Sequence, residues 1–289
     1  MAGESTECFL RTRSDRHNRG HRLESRFMDP PERGDIDRVW GDMLNITARQ
    51  ELMRTIFDTL NVVVEEARLD FNEHDLDVRV VDPSHVAMIK MTIQSAAFDS
   101  WEVDEKSLGL ELGKMRDLLS LGNSGDLIEL RHDEHEGRVH INMGKIDRVI
   151  RPLDHSTVQP PNVPELELPA SVTLTGEDLS RAFRAARQVG DLVNISLSSE
   201  GLDINVIGGE TDSVSVSYGK DEVHELICDG PVRSQYSLTY LLPLSKLMAI
   251  NDRVTLRFGD NFPLRVEYEF ADGAGQVVYF LAPRIEGDI

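Results

Sequence analysis

The sequence predicts an α+β protein made of two copies of one antiparallel unit, joined by a proline-rich linker. Three observations lead there. The pattern Leu69-x-Phe71-x-Glu73-x-x-Leu76-Asp77-Val78-x-Val80 returns as Ile195-x-Leu197-Ser198-Ser199-Glu200-Gly201-Leu202-Asp203-Ile204-x-Val206, about 126 residues later. Apolar residues alternate through short segments separated by polar turns, which is the mark of half-buried antiparallel strands. Residues 179–190 form an amphipathic helix whose polar face is arginine, placed where the first half carries its own helix.

Residues 1–42 hold eight Arg and nine Asp/Glu with few large apolar residues and no sustained periodicity, so disorder is expected there. A first strand spans Leu44–Thr47. A helix follows over Thr47–Val64, with Leu52, Ile56, Leu60 and Val63 on one face and Arg49 and Arg54 nearby. Arg68–Val81 reads as a hairpin turning at Asn72–Asp75, and Asp82-Pro-Ser-His85 as a turn with proline at its second position. Val86–Ile93 and Ser100–Asp104 are strands, and Leu112–Leu121 is a short helix carrying Lys114 and Arg116. Strands Leu127–His132, Arg138–Met143 and Ile146–Leu153 complete the first unit, 43–153.

Residues 154–169 hold Pro160, Pro161, Pro164 and Pro169, which exclude a helix and a central strand. Val158, Val163, Leu166 and Leu168 keep this linker apolar enough to lie on a surface. The second unit, 170–289, restarts with strand Ser171–Leu174, a capping sequence at Thr175-Gly-Glu-Asp178, and the arginine helix. Val193–Leu197 and Leu202–Ile207 form a hairpin, Tyr240–Ile250 repeats the second helix, and Arg253–Phe258 and Leu264–Phe270 repeat two later strands.

The chain carries 51 Asp/Glu against 31 Lys/Arg, a net charge of −20. Lysine stands only at 90, 106, 114, 145, 220 and 246. Abundant carboxylates with scarce lysine suit a high-salt cytoplasm, where the Debye length falls to about 3 Å at 1 M and self-repulsion is screened. The charge therefore speaks of habitat and does not exclude an anionic partner. No apolar run approaches the ~18 residues of a membrane span, and Cys8 and Cys228 are too far apart in sequence to suggest a disulfide scaffold.

Against that background, no Asp or Glu falls between Asp178 and Asp191. At about 100° per residue, Arg181, Arg184 and Arg187 share one helical face. A solvated helix face that happens to use arginine is the plain alternative. All four helices nevertheless carry cations: Arg54; Lys114 and Arg116; Arg181, Arg184 and Arg187; Lys246. Four such helices on one side of the sheets would contact a phosphate backbone without reading bases.

The sequence resembles the sliding-clamp family of archaeal and eukaryotic replication, proliferating cell nuclear antigen. Val78-Arg-Val-Val-Asp82-Pro-Ser-His-Val86, the paired Leu76-Asp77 and Leu202-Asp203, Phe262-Pro-Leu-x-Val-Glu-Tyr268 and Tyr279-Phe-Leu-Ala-Pro-Arg-Ile285 carry the resemblance, which runs from Met43 to Ile285. Met43 falls where the family's chains start, so residues 1–42 are an addition or precede the true start. The resemblance implies the DNA clamp fold and a homotrimeric ring around duplex DNA, with the seven helix cations facing phosphates and no cofactor.

It implies a groove for short docking motifs of DNA polymerase, clamp loader, flap endonuclease and DNA ligase, formed by Val81, His85, Val86, Val163, Pro164, Pro263, Ala282, Pro283, Arg284 and Ile285. It also implies edge-to-edge pairing of Ile146–Leu153 with a neighbour's Ser213–Tyr218, through Ile146, Val149, Ile150, Val214, Val216 and Tyr218. Pro161 stands where the linker's usual aliphatic residue is expected, and Ser199 where the eukaryotic clamp carries a modifiable lysine. Two alternatives remain: a divergent scaffold that binds proteins without encircling DNA, and an enzyme. The latter would rest on the His132-Asp-Glu-His135-Glu turn with His140, where solvated polar residues are expected anyway.

Overall fold

Leu44, Ile46 and Ala48 are fully or almost fully buried while their neighbours are not, which sets the first strand, β1 (Leu44–Arg49), across the base of a helix. The computed structural model describes residues 44–209 and 211–285. After β1 come α1 (Gln50–Leu60), β2 (Glu66–Phe71), β3 (Asp75–Val81), β4 (Ala87–Gln94), β5 (Ser100–Val103) and β6 (Lys106–Glu111). Then follow α2 (Leu112–Leu119), β7 (Leu127–Asp133), β8 (Arg138–Met143) and β9 (Ile146–Ile150). The second half repeats this order with β10 (Ala170–Leu174), α3 (Gly176–Arg187), β11 (Leu192–Ser198), β12 (Gly201–Gly208), β13 (Asp212–Gly219), β14 (Glu225–Cys228) and β15 (Val232–Ser237). It closes with α4 (Leu238–Met248), β16 (Val254–Phe258), β17 (Leu264–Phe270) and β18 (Gly275–Leu281). Residues 154–169 contain one short 3₁₀ turn, His155–Thr157, and are otherwise irregular.

Several elements depart from the sequence reading. The helix expected over Thr47–Val64 begins only at Gln50, because Thr47 to Arg49 continue the ladder against β7. Strands β6, β14, β15 and β18 lie outside the strands read from the sequence. In β6 the cause is Gly109: Leu153 comes so close that a Cβ on residue 109 would lie 2.9 Å from its backbone oxygen, and its amide donates to the Gly109 carbonyl at 2.8 Å. A glycine inside a strand weakens the sequence signal while permitting that approach.

The strands form three antiparallel sheets. The longest runs β14-β10-β16-β17-β18-β4-β3-β2-β6 and crosses both halves, because β18 pairs with β4 from Gly275↔Ile93 to Leu281↔Ala87. The others are β5-β1-β7-β8-β9 and β13-β12-β11-β15. Strands β9 and β13 each end a sheet, with one side of the backbone unpaired.

All four helices lie in one contiguous layer: α2 packs on α1, α1 on α4, and α4 on α3. Each buries one stripe, including Leu52, Ile56 and Phe57 on α1 and Leu179, Ala182 and Phe183 on α3. Burial of each large apolar side chain contributes about 1.5–3 kcal/mol. The start of α3 abuts the end of α4 so closely that a Cβ on Gly176 would meet the Met248 carbonyl. Here the close packing of two helices, and not a turn, requires glycine.

Buried tyrosines tie the layers together and set an alkaline limit. Burial pushes the Tyr268 hydroxyl up to about 12, a nearby Thr59 hydroxyl partly offsetting it. Tyr236 and Tyr279 are also pushed up, mainly by burial. A raised folded-state value means that stabilisation is complete below the unfolded value of about 10 and is lost as pH rises through the folded one. Thermal stability should therefore fall between about pH 10 and 12, with Tyr268 accounting for about 2–3 kcal/mol. Melting curves of Tyr268→Phe across that range should show a shallower fall; an identical slope would refute the assignment.

Candidate functional site

The solvent side of the helix layer is built by the same periodicity that buries its other side. Arg54, Lys114, Arg116, Arg181, Arg184, Arg187 and Lys246 are all exposed. The structure thus brings the seven expected cations onto one layer, but it does not leave them free. Arg54 lies 3.3 Å from Asp58, which also takes Arg116 at 2.5 Å; Arg116 donates to Asn61 as well. Lys114 pairs with Glu111. The arginine helix was read as cleared of negative charge, yet the carboxylates that bound the patch fold back onto it. Asp178 takes Arg181 and Asp191 takes Arg187. Among the described residues, Arg184 and Lys246 alone of the seven have no ion pair. Exposed pairs of this kind contribute about 0–1 kcal/mol, so a phosphate can displace the carboxylate at little cost.

Asp178 also organises the end of α3. Its amide donates to the Thr175 hydroxyl at 3.1 Å, and its carboxylate accepts from that hydroxyl at 2.7 Å, closing the cap foreseen in the sequence. Its carbonyl accepts from the Tyr218 hydroxyl at 3.0 Å, which fixes edge strand β13 against the helix. Burial, then the Asp178 charge, raises the Tyr218 hydroxyl above its ordinary value. Along β13, Val214, Val216 and Tyr218 are half-buried; along β9, Ile146 and Ile150 are half-buried and Val149 is 48% exposed. Both edges thus present apolar side chains beside unpaired backbone.

The expected groove residues fall into three neighbouring groups. The first is the turn after β3. Asp82 is buried, and its carboxylate accepts from the amides of Ser84 (3.0 Å), Val86 (2.6 Å) and Ala87 (2.6 Å). That clamp holds His85 exposed with a positive φ of 56°. The Tyr240 hydroxyl reaches the same carboxylate at 3.4 Å, linking the turn to α4.

The second group is the C-terminal segment. The Ala282 amide donates to the Val86 carbonyl at 2.9 Å, and the Arg284 amide donates to the Gln235 carbonyl at 2.7 Å. The pairing Leu264↔Leu281 puts Pro263 beside Ala282. Pro283 is half-buried, whereas Arg284 and Ile285 are exposed and line a cavity of about 370 Å³ with Arg233, Gln235, Asp260 and Asn261.

The third group is the linker. Val158, Val163, Leu166 and Leu168 are half-buried, while Pro164, Glu165 and Glu167 are exposed. Val163 and Pro164 roof a cavity of about 600 Å³ whose floor is the outer face of β4, β17 and β18: Lys90, Arg265, Gln276, Val278 and Phe280. Val81 lies on the same outer face, opposite Met88, which in turn pairs with Phe280. The ten expected residues therefore line a discontinuous track and not one pocket. Sequence reading missed Lys90, Arg265 and Tyr240. The scarcity of lysine was a usable signal for Lys90.

No group of three metal-ligating side chains occurs among the described residues, and His140 sits 3.5 Å from Glu136. No helix among them is long and apolar enough to cross a membrane.

Residues 43–151 match the family model described as proliferating cell nuclear antigen, N-terminal domain, and residues 162–284 match the C-terminal domain. The DNA polymerase sliding clamp of Methanosarcina acetivorans is 36% identical over 247 residues, 85% of this chain and 100% of the relative. That of Halobacterium salinarum is 30% identical over 249 residues, again 85% and 100%. Among solved structures, the A. fulgidus proliferating cell nuclear antigen with the C-terminal region of FEN-1 bound superposes with a TM-score of 0.80 at 31% identity, over 85% of this chain and 100% of that one.

Proposed function

The chain belongs to the proliferating cell nuclear antigen family, and from that premise we propose that it is a DNA sliding clamp. Three copies close head to tail around duplex DNA, and the ring tethers DNA polymerase, clamp loader, flap endonuclease and DNA ligase. Units 43–153 and 170–289 are its two clamp domains, and 154–169 is the connector roofing the docking groove. The protein acts without catalysis or cofactor, in replication and repair, in the cytoplasm of a halophilic archaeon.

The observation that carries this reading is the contiguous helix layer with its seven exposed cations, combined with two unpaired sheet edges, β9 and β13. Edge pairing through Ile146, Val149 and Ile150 with Val214, Val216 and Tyr218 of the next copy continues a sheet across the boundary. Closure makes tight DNA contact unnecessary. Phosphate affinity falls steeply with salt, whereas a topological link does not. Tethered enzymes then act at high effective concentration.

A scaffold that binds partners without encircling DNA is the second reading, favoured by the internal pairing of five of the seven cations (Arg54, Lys114, Arg116, Arg181 and Arg187). Light scattering over a salt series tests assembly. Three chains per particle at high salt are expected, and a monomer at every salt concentration would exclude the ring.

A further inference from the structure

The cavity under residues 163–167 has an unusual charge layout for a site that would receive apolar anchors. Its floor offers Val278 and Phe280, only 7% and 6% exposed, flanked by two cations. Lys90 has no ion pair among the described residues, and its cross-strand neighbour Arg79 is paired with Asp77 at 3.2 Å, so no carboxylate there is left to neutralise Lys90. Arg265 stands on the far side of β18 with its guanidinium carbon 5.8 Å from the Phe280 ring centroid. It shares Glu267 with Arg257, so that group of three is itself net positive. The roof is opposite in sign: Glu165 and Glu167 line the same cavity, and neither has an ion pair among the described residues. A basic floor thus faces an acidic roof across a space open to solvent.

An extended peptide laid between them presents successive side chains to opposite sides, because the strand period is two. We propose that the occupant of this groove is an extended peptide of alternating charge, with an acidic side chain directed at Lys90 and Arg265 and a neighbouring basic one directed at Glu165 and Glu167. This rests on the docking-groove reading above and adds to it a selectivity that the apolar anchors do not supply. Each charge meets its opposite, and reversing either side of the peptide places like charges together, which discriminates more than it adds to affinity.

The probe is the C-terminal peptide of the A. fulgidus FEN-1, fluorescently labelled, with a single Asp or Lys walked through its residues. Binding to the full-length protein is followed by polarisation at about 0.2 M and about 2 M salt, where the Debye length drops from roughly 7 to 2 Å. At one or more positions Asp should bind about tenfold tighter than Lys at the lower salt. At an adjacent position the order should reverse. Lys90→Glu should invert the first preference; Glu165→Lys, at an exposed position that folding tolerates, should invert the second. Binding of the parent peptide with no charge preference at any position would overturn this inference and leave the groove standing. Preferences that persist unchanged in Glu165→Lys would do the same. Failure of the parent peptide to bind at all would overturn the groove reading and this one with it.

Discussion

Replacing Asp82 with alanine should destabilise the protein by about 2–4 kcal/mol and abolish docking of short peptide motifs. Its buried carboxylate accepts three backbone amides, two of them at 2.6 Å. Hydrogen bonds to a charged acceptor contribute about 1.5–3 kcal/mol each, and the buried Ala87 amide left without its partner adds a desolvation cost. The turn then relaxes from the left-handed geometry that holds His85 out. The Val86 carbonyl, which anchors Ala282, moves with it. Chemical denaturation measures the first effect, and calorimetry with the FEN-1 peptide the second. Asp82→Asn keeps one acceptor oxygen and should fall between. If Asp82→Ala melts normally and binds the peptide as the parent does, the turn does not shape the groove.

The second large effect concerns the helix layer. Reversing Arg184 and Lys246 together to glutamate should lower polymerase stimulation on primed DNA about tenfold or more while leaving assembly intact. These two cations have no carboxylate partner among the described residues, so nothing local compensates for their reversal. If both cations meet phosphates in the proposed three-copy ring, the change removes about six contacts, and the slope of log affinity against log salt should shrink by about 5. Arg54→Glu with Arg187→Glu should do somewhat less, by the margin of the exposed pairs with Asp58 and Asp191 that a phosphate must first displace, about 0–1 kcal/mol each. Equal losses from the two pairs would show that the internal ion pairs do not matter. Unchanged stimulation by Arg184→Glu with Lys246→Glu would remove this layer from the DNA path.

Much of the fold was legible because its signals are local. The hairpins at Arg68–Val81 and Val193–Ile207 and the buried stripe of Leu52, Ile56 and Leu60 need only neighbours two to four positions away, and the repeat shows by comparing such local patterns with each other. The missing strands needed more. Strand β6 is held in the sheet by its ladder with β2, and Gly109 only makes room for Leu153, distant in sequence, to close on it. In β15 the buried positions include Ser234 and Ser237, which carry no apolar signal.

The site divides in the same way. The seven cations were found by helical spacing, yet their partners were not. Arg116 and Asp58 are 58 positions apart and meet only because α2 packs on α1. Asp178 and Asp191 are a different matter. They stand at i−3 and i+4 of the arginines they hold, a spacing at which helix-face neighbours interact, so this pairing was readable in advance. The groove residues were placed by family motif, and the charge on its floor emerged only when β4, β17 and β18 lay side by side. Residues 1–42 lie outside the described residues, and the disorder expected there stands as an expectation.

The central claim is that the protein encloses duplex DNA, and topology tests it most directly. The protein is loaded by its clamp loader onto a nicked circular plasmid, isolated by gel filtration at high salt, and the plasmid is then cut once. Protein should stay with the circle and be released when the DNA is linearised. Equal retention on circular and linear DNA, or none on either, would contradict that claim.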